Sequence, residues 1–248
     1  MDGVNGFRWN QIIKCLNLAQ DDIHQSHKNI ALLGFACDEG VRRNKGRIGG
    51  AEGPTHFRKA LANLADHFPV GTNFFDVGDV VCENNNMELA QTELAVYVQD
   101  LLDKKCFPIL MGGGHEIAYG HFMGIANHLG SSGNNKLGVI NLDAHFDLRS
   151  YKDRGNSGTP FLQIARECEK RELQFNYMAL GIQPASNTNA LFQTAEKLNV
   201  DFLTVKEISQ NSREETLYCL EDFISENDFI YLTICLDVIA APFAPGVS

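Results

Sequence analysis

Five consecutive residues, Asp143-Ala144-His145-Phe146-Asp147, follow the apolar run LGVINL and put two carboxylates and an imidazole into one short segment. Side chains alternate faces in extended backbone, so Asp143, His145 and Asp147 are expected to point one way and Ala144 and Phe146 the other. Hard oxygen ligands joined by an imidazole suit a divalent cation; the plainer reading is a polar loop with a helix cap. Two further apolar runs end on similar groups. After FPILM comes Gly112-Gly113-Gly114-His115-Glu116, where glycines permit tight turning and close backbone approach while His115 supplies an imidazole. The phosphate-loop pattern GxxxxGK followed by Ser or Thr is not met there. After FIYLTICL comes Asp237, whose plainer role is a turn or cap. The carboxyl ends of strands form the ligand crevice of an open parallel sheet, and all three groups sit at such ends.

The elements that must position them are legible as alternation. Short apolar runs at 29–35, 73–77, 107–111, 137–142, 177–182, 201–205 and 229–236 read as buried parallel strands. Between them, 54–67, 87–104 and 212–226 carry apolar residues at helical spacing. The pattern predicts an α/β fold, a parallel sheet with helices on both faces. With no internal repeat and no linker rich in Pro, Gly or Ser, a single domain over 1–248 is expected.

Composition narrows the function classes. The formal charge of -10 disfavours a broad nucleic-acid surface, and 44% hydrophobic residues can fill a substantial core. No stretch reaches the ~20 apolar residues of a membrane helix, and MDGVNGFRWNQ lacks the basic and apolar regions of a signal peptide. The 7 cysteines are scattered without a CxxC pair, which suits reduced thiols and a cytoplasmic location. No GxSxG elbow for a serine nucleophile is present.

The segments GGGHE, NLDAHFD and LDxxxxxxAPG occur in the order and spacing of arginases, agmatinases and formimidoylglutamases, so the chain resembles the manganese-dependent ureohydrolases over nearly its whole length. The resemblance implies an arginase-like three-layer αβα sandwich and two Mn2+ ions. Carried over by position, it makes His115, Asp143, His145, Asp147 and Asp237 the metal ligands, with Asp143 bridging the ions. It also implies catalysis through Asp143, His145 and Asp147 by way of a metal-bridged hydroxide that attacks the amidine carbon.

The selector of substrate is expected in two places. Residues 42–54 (RRNKGRIGGAEGP) resemble the RNxGRxGAxxGP pattern of formimidoylglutamases, and Arg43, Asn44 and Arg47 there suit a dicarboxylate; a solvated basic loop is the plainer reading. Arg149, two residues past Asp147, favours an anionic substrate over arginine or agmatine, against the plainer role of a surface ion pair. Ser157 stands where arginases place a proton-shuttling histidine; it is assigned to substrate binding, and a helix cap explains it nearly as well.

Two departures from the family pattern matter. The last metal motif normally reads Asp-x-Asp, but here it is Cys235-Leu236-Asp237, so Cys235 is either a softer ligand or a buried strand residue. The chain also stops at Ala244-Pro245-Gly246-Val247-Ser248, where the resemblance implies a further strand and helix. The expected activity is hydrolysis of a small-molecule dicarboxylate, N-formimidoyl-L-glutamate, to L-glutamate and formamide in histidine degradation, with no nucleic-acid or membrane partner and with a homo-oligomeric assembly. Another ureohydrolase acting on agmatine or a guanidino acid, and a non-catalytic oligomerising relative, stay open at this point.

Overall fold

The computed structural model describes residues 6–23, 28–130 and 135–246. The start of MDGVNGFRWNQ and the last two residues of the 244–248 segment lie outside them. The described residues form two compact units, one from those within 1–42 and 48–128 and the other from those within 43–47 and 129–248.

In the first unit β1 (Ile13–Cys15), β2 (Lys28–Ala36), β3 (Thr72–Val81) and β4 (Cys106–Met111) form a parallel sheet in the order β1-β3-β2-β4. The helices are α1 (Trp9–Ile12), α2 (Glu39–Arg43), α3 (Gly53–Leu61), α4 (Met87–Asp103) and α5 (Ile117–Leu129). Inner strand β2 buries Ala31, Leu32, Leu33 and Phe35 without alternation, as a strand covered on both faces must. Helix α4 starts where the Asn86 side chain accepts the Leu89 N–H. It buries Met87, Ala90, Leu94, Val98 and Leu101 at three- and four-residue spacing, and these pack with Leu33, Phe35 and Val80.

The helix expected over 54–67 ends at Leu61 instead. The N-terminal segment takes its next carbonyls: Asn10 N–H donates to Ala62 O at 3.2 Å and Trp9 N–H to Leu64 O at 3.0 Å. Tertiary hydrogen bonds there replace the helical ones that the apolar periodicity favours.

In the second unit β5 (Leu137–Leu142), β6 (Asn176–Ile182), β7 (Asp201–Thr204) and β8 (Phe229–Ile234) form a parallel sheet in the order β7-β6-β5-β8. Its helices are α6 (Pro160–Lys170), α7 (Asn189–Lys197), α8 (Val205–Gln210) and α9 (Arg213–Ser225). Ser212 and Glu215 close α9 with a reciprocal capping box. Its Phe223 meets Ile140, Met178 and Leu180 in the core. Among the described residues β8 pairs only with β5, and Phe229, Leu232 and Ile234 on it are exposed. No helix among the described residues is long and apolar enough to cross a membrane.

Candidate metal centre

The sheet of the second unit brings two strand ends together. β5 and β8 are neighbours in parallel register, with Leu142 opposite Ile234. The pairing continues as Cys235 N–H donates to Leu142 O at 2.8 Å, while Asp143 N–H donates to Leu180 O of β6 at 2.9 Å. Asp143 and Asp237, far apart in sequence, thus leave the sheet side by side.

Asp143, His145 and Asp237 each offer a ligand atom, and these atoms lie within 4.8 Å of one another. Asp143 is fully buried. Its Oδ1 accepts the His145 N–H at 2.7 Å and its Oδ2 accepts an Asn141 Nδ2 hydrogen at 3.2 Å. Asp237 uses Oδ1 to accept the Ala144 N–H at 3.2 Å, and its Oδ2 lies 2.9 Å from His145 Nδ1. The Asp143 carboxylate, unscreened by water, and then Asp237 raise the His145 pKa to about 10. Two anionic carboxylates that hold a proton on an imidazole are a set of donors that a divalent cation can take over, releasing that proton.

The expected strand-like alternation holds for only part of the segment. Strand β5 ends at Leu142, and Asp147 adopts a left-handed conformation with φ 49°. Phe146 is nevertheless fully buried, edge-to-face with Phe192 and Phe202 at 5.1 Å each. Ala144 and Phe146 thus enter the core, while His145 and Asp147 stay partly exposed. Burial sets Ala144 and Phe146 apart from His145 and Asp147, but Asp143 is buried as well, and an irregular turn anchored by Phe146 rather than a strand carries the segment.

Cys235 Sγ lies within 4.8 Å of an Asp143 carboxylate oxygen, so the thiol borders the cluster and is not merely a strand residue pointing elsewhere. His115 belongs to the first unit. It sits in the turn after β4, where Gly113 N–H donates to Phe35 O and Gly114 N–H to Cys37 O, both at 3.0 Å. A Cβ on Gly113 would stand 1.8 Å from Cys37 O, which is why glycine is required at that close approach.

The residues expected to select substrate collect in the second unit. Arg43 Nη1 donates to Gly155 O at 3.0 Å, Asn44 Nδ2 to Ser157 Oγ at 3.1 Å and Arg47 Nη2 to Gly246 O at 3.0 Å. Arg149 is exposed, and its backbone N–H donates to Gly158 O at 2.9 Å. No ion pair of Arg149 is found among the described residues. The 43–47 loop thus folds onto 155–158, beside the segment that carries Arg149. Ser157 does not cap α6; its oxygen receives the Asn44 amide instead.

Sequence reasoning passed over Asn141, Tyr177 and Asn187, all buried beside the cluster. The polar Asn141 inside LGVINL was a usable signal, because a buried amide must find partners. Nothing local marks Asn187.

Residues 28–248 match the model of the arginase family. The chain is 42% identical over 246 residues to the formimidoylglutamase of Clostridium tetani, covering 98% of this chain and 73% of that protein. Its fold is similar to the crystal structure of formimidoylglutamase from Bacillus subtilis, with a TM-score of 0.82, 24% identity and coverage of 99% of this chain and 75% of that one. The Trypanosoma cruzi formiminoglutamase structure with Mn2+ gives a TM-score of 0.76 at 25% identity, covering 93% of this chain and 78% of that one. With a family model spanning most of its length, a 42% identical relative and an arginase-type α/β fold, the chain belongs to the arginase family.

Proposed function

We propose that the chain acts as a formimidoylglutamase, hydrolysing N-formimidoyl-L-glutamate to L-glutamate and formamide, as one ureohydrolase-like domain over 1–248. The observation that carries this reading is the convergence of Asp143, His145 and Asp237 within 4.8 Å, in a chain whose curated relatives include the formimidoylglutamase of Clostridium tetani.

Asp143, His145, Asp147 and Asp237 hold two Mn2+ ions in this proposal, with His115 added on the family resemblance and Cys235 as a bordering donor. The donor chemistry fits, since carboxylate oxygens and imidazole suit Mn2+ and a single thiol does not convert the set into a thiolate site. When bound, such ions supply Lewis acidity and acidify a water at neutral pH. The protein's own groups do the rest. Arg149 binds a carboxylate of the substrate through charged hydrogen bonds and places its amidine beside the cluster. Ser157 accepts from Asn44, so its own hydroxyl hydrogen is available to a second substrate oxygen. Arg43, tied to Gly155 O, adds positive charge to the same wall.

A cationic selector disfavours agmatine, which has no carboxylate, and repels the guanidinium that agmatine and arginine both carry. No disulfide is formed among the described residues, which suits a cytoplasmic setting in histidine breakdown, and a homo-oligomer is the assembly we take for it. The deciding experiment is a Mn2+-reconstituted assay that measures formamide and urea from N-formimidoyl-L-glutamate, agmatine and guanidino acids. Formamide release from the first substrate alone is expected, lost on chelation and restored by Mn2+. Urea release would move the chain to another ureohydrolase activity, and full turnover in a verified metal-free sample would remove the mechanism.

A further inference from the structure

Asn187 is buried and lies beyond β6, just after the 3-10 turn 184–186. Two of its three side-chain hydrogen bonds go to the backbone of the cation-holding segment. Its Oδ1 accepts the Phe146 N–H at 3.1 Å, while Nδ2 donates to Ala144 O and to Gln183 O, both at 2.9 Å. Residues 144 and 146, whose side chains enter the core, are therefore also tied by their backbones on either side of His145.

A second anchor reaches the same segment from β6. Tyr177 Oη donates to Phe146 O at 3.0 Å and accepts from Asn141 Nδ2 at 3.0 Å. That amide also donates to Asp143 Oδ2 at 3.2 Å. Its orientation is forced, because a flipped amide would set its oxygen against a carboxylate oxygen.

Such a clamp has a physical purpose. The chain leaves β5 at Leu142 and must reach a left-handed Asp147, a conformation that aspartate tolerates better than most L-residues but that still needs the backbone before it held in place. Only a carboxamide can accept from one backbone N–H while donating to two carbonyls, which is the pattern that Asn187 meets. We infer that Asn187 is a positioning residue for metal binding: it sets the backbone of residues 144–146 so that Asp143, His145 and Asp147 turn toward a common cation cluster. The inference rests on the reading of Asp143, His145 and Asp237 as metal ligands.

The test is calorimetric titration of Mn2+ into the chelator-treated full chain, with circular dichroism as a check of folding. Asn187→Ala is compared with Tyr177→Phe and with Asn227→Ala. Asn227 is a structural control: it donates to Phe223 O and accepts from Asn176 at 2.7 Å each, at the opposite end of β6. Loss of about tenfold or more in Mn2+ affinity is expected for Asn187→Ala, in line with other groups that orient metal ligands. Tyr177→Phe is expected to lose about fivefold and carries the test if Asn187→Ala does not fold. Asn227→Ala should stay within about twofold even where it lowers the melting temperature. Unchanged Mn2+ affinity in folded Asn187→Ala, or in Tyr177→Phe where it alone folds, or an equal loss in Asn227→Ala, would overturn the role. A wild-type chain that takes up no Mn2+ would overturn the metal reading itself, a result distinguishable from the others.

Discussion

Substituting Arg149 and, separately, the glycine beneath it probes the selection of an anionic substrate. Arg149 is exposed, and a Cβ added at Gly158 would stand 2.8 Å from its Cδ and 3.1 Å from its Nε. Alanine at 158 therefore displaces the guanidinium without removing its charge, and the flexible side chain can yield without unfolding the loop. A charged hydrogen bond contributes about 1.5–3 kcal/mol. Water competes at an exposed guanidinium, so the lower end applies, and ~1.4 kcal/mol corresponds to tenfold. Arg149→Ala should raise KM for N-formimidoyl-L-glutamate about tenfold with little change in kcat, as expected when binding is lost equally from ground and transition states. Gly158→Ala should raise it about three- to tenfold, and added salt should weaken the wild type more than either variant. In the double variant the glycine substitution should add less than about twofold, because its target is already gone. Steady-state kinetics on the Mn2+-reconstituted chain decide the matter. An unchanged KM in Arg149→Ala removes the selector, and a full Gly158→Ala effect without Arg149 assigns that effect to Asn44, whose Nδ2 a Cβ at 158 would approach to 3.3 Å.

Two further outcomes follow from burial. Glu116 is fully buried, with Oε1 accepting the Gly40 N–H at 2.8 Å, and desolvation raises its pKa from 4.5 to about 7. Its folded-state pKa lies above the unfolded one, so its stabilisation is fully present below the unfolded value and is lost as pH rises through about 7. The change is on the order of 3 kcal/mol. Urea unfolding between mildly acidic and mildly alkaline pH should show that decline, and Glu116→Gln should flatten it; the same slope in both chains would exclude Glu116 as the source. Strand β8 pairs only with β5 among the described residues and exposes Leu232 and Ile234, each 53% accessible. Leu232→Lys should lower concentration-dependent self-association in sedimentation experiments, whereas unchanged association would place the sticky surface elsewhere.

Much of this protein is legible in its local sequence pattern. The runs at 137–142 and 107–111 became β5 and β4 within a residue, and 87–104 and 212–226 became α4 and α9, because apolar periodicity and caps act within a few residues. The identities of Asp143, His145 and Asp237 as a cation-type set were likewise written in residue chemistry and family motifs. Local pattern could not say that Asp237 ends beside Asp143. That depended on β8 pairing with β5, a choice made by long-range register and by burial of Ile140 and Tyr231. Nor could it place the 43–47 loop against 155–158, since those contacts span more than a hundred residues. Helix 54–67 was cut short by carbonyls captured from the N-terminal segment, and the turn at Asp147 was imposed by Phe146 in the core and by Asn187 and Tyr177 on its backbone. Sequence by itself determined most strands, the helices α4 and α9, and which residue types could offer ligand atoms to a cation. Tertiary structure alone decided which strand ends meet, because that outcome is set by the packing of distant segments rather than by any stretch of neighbours.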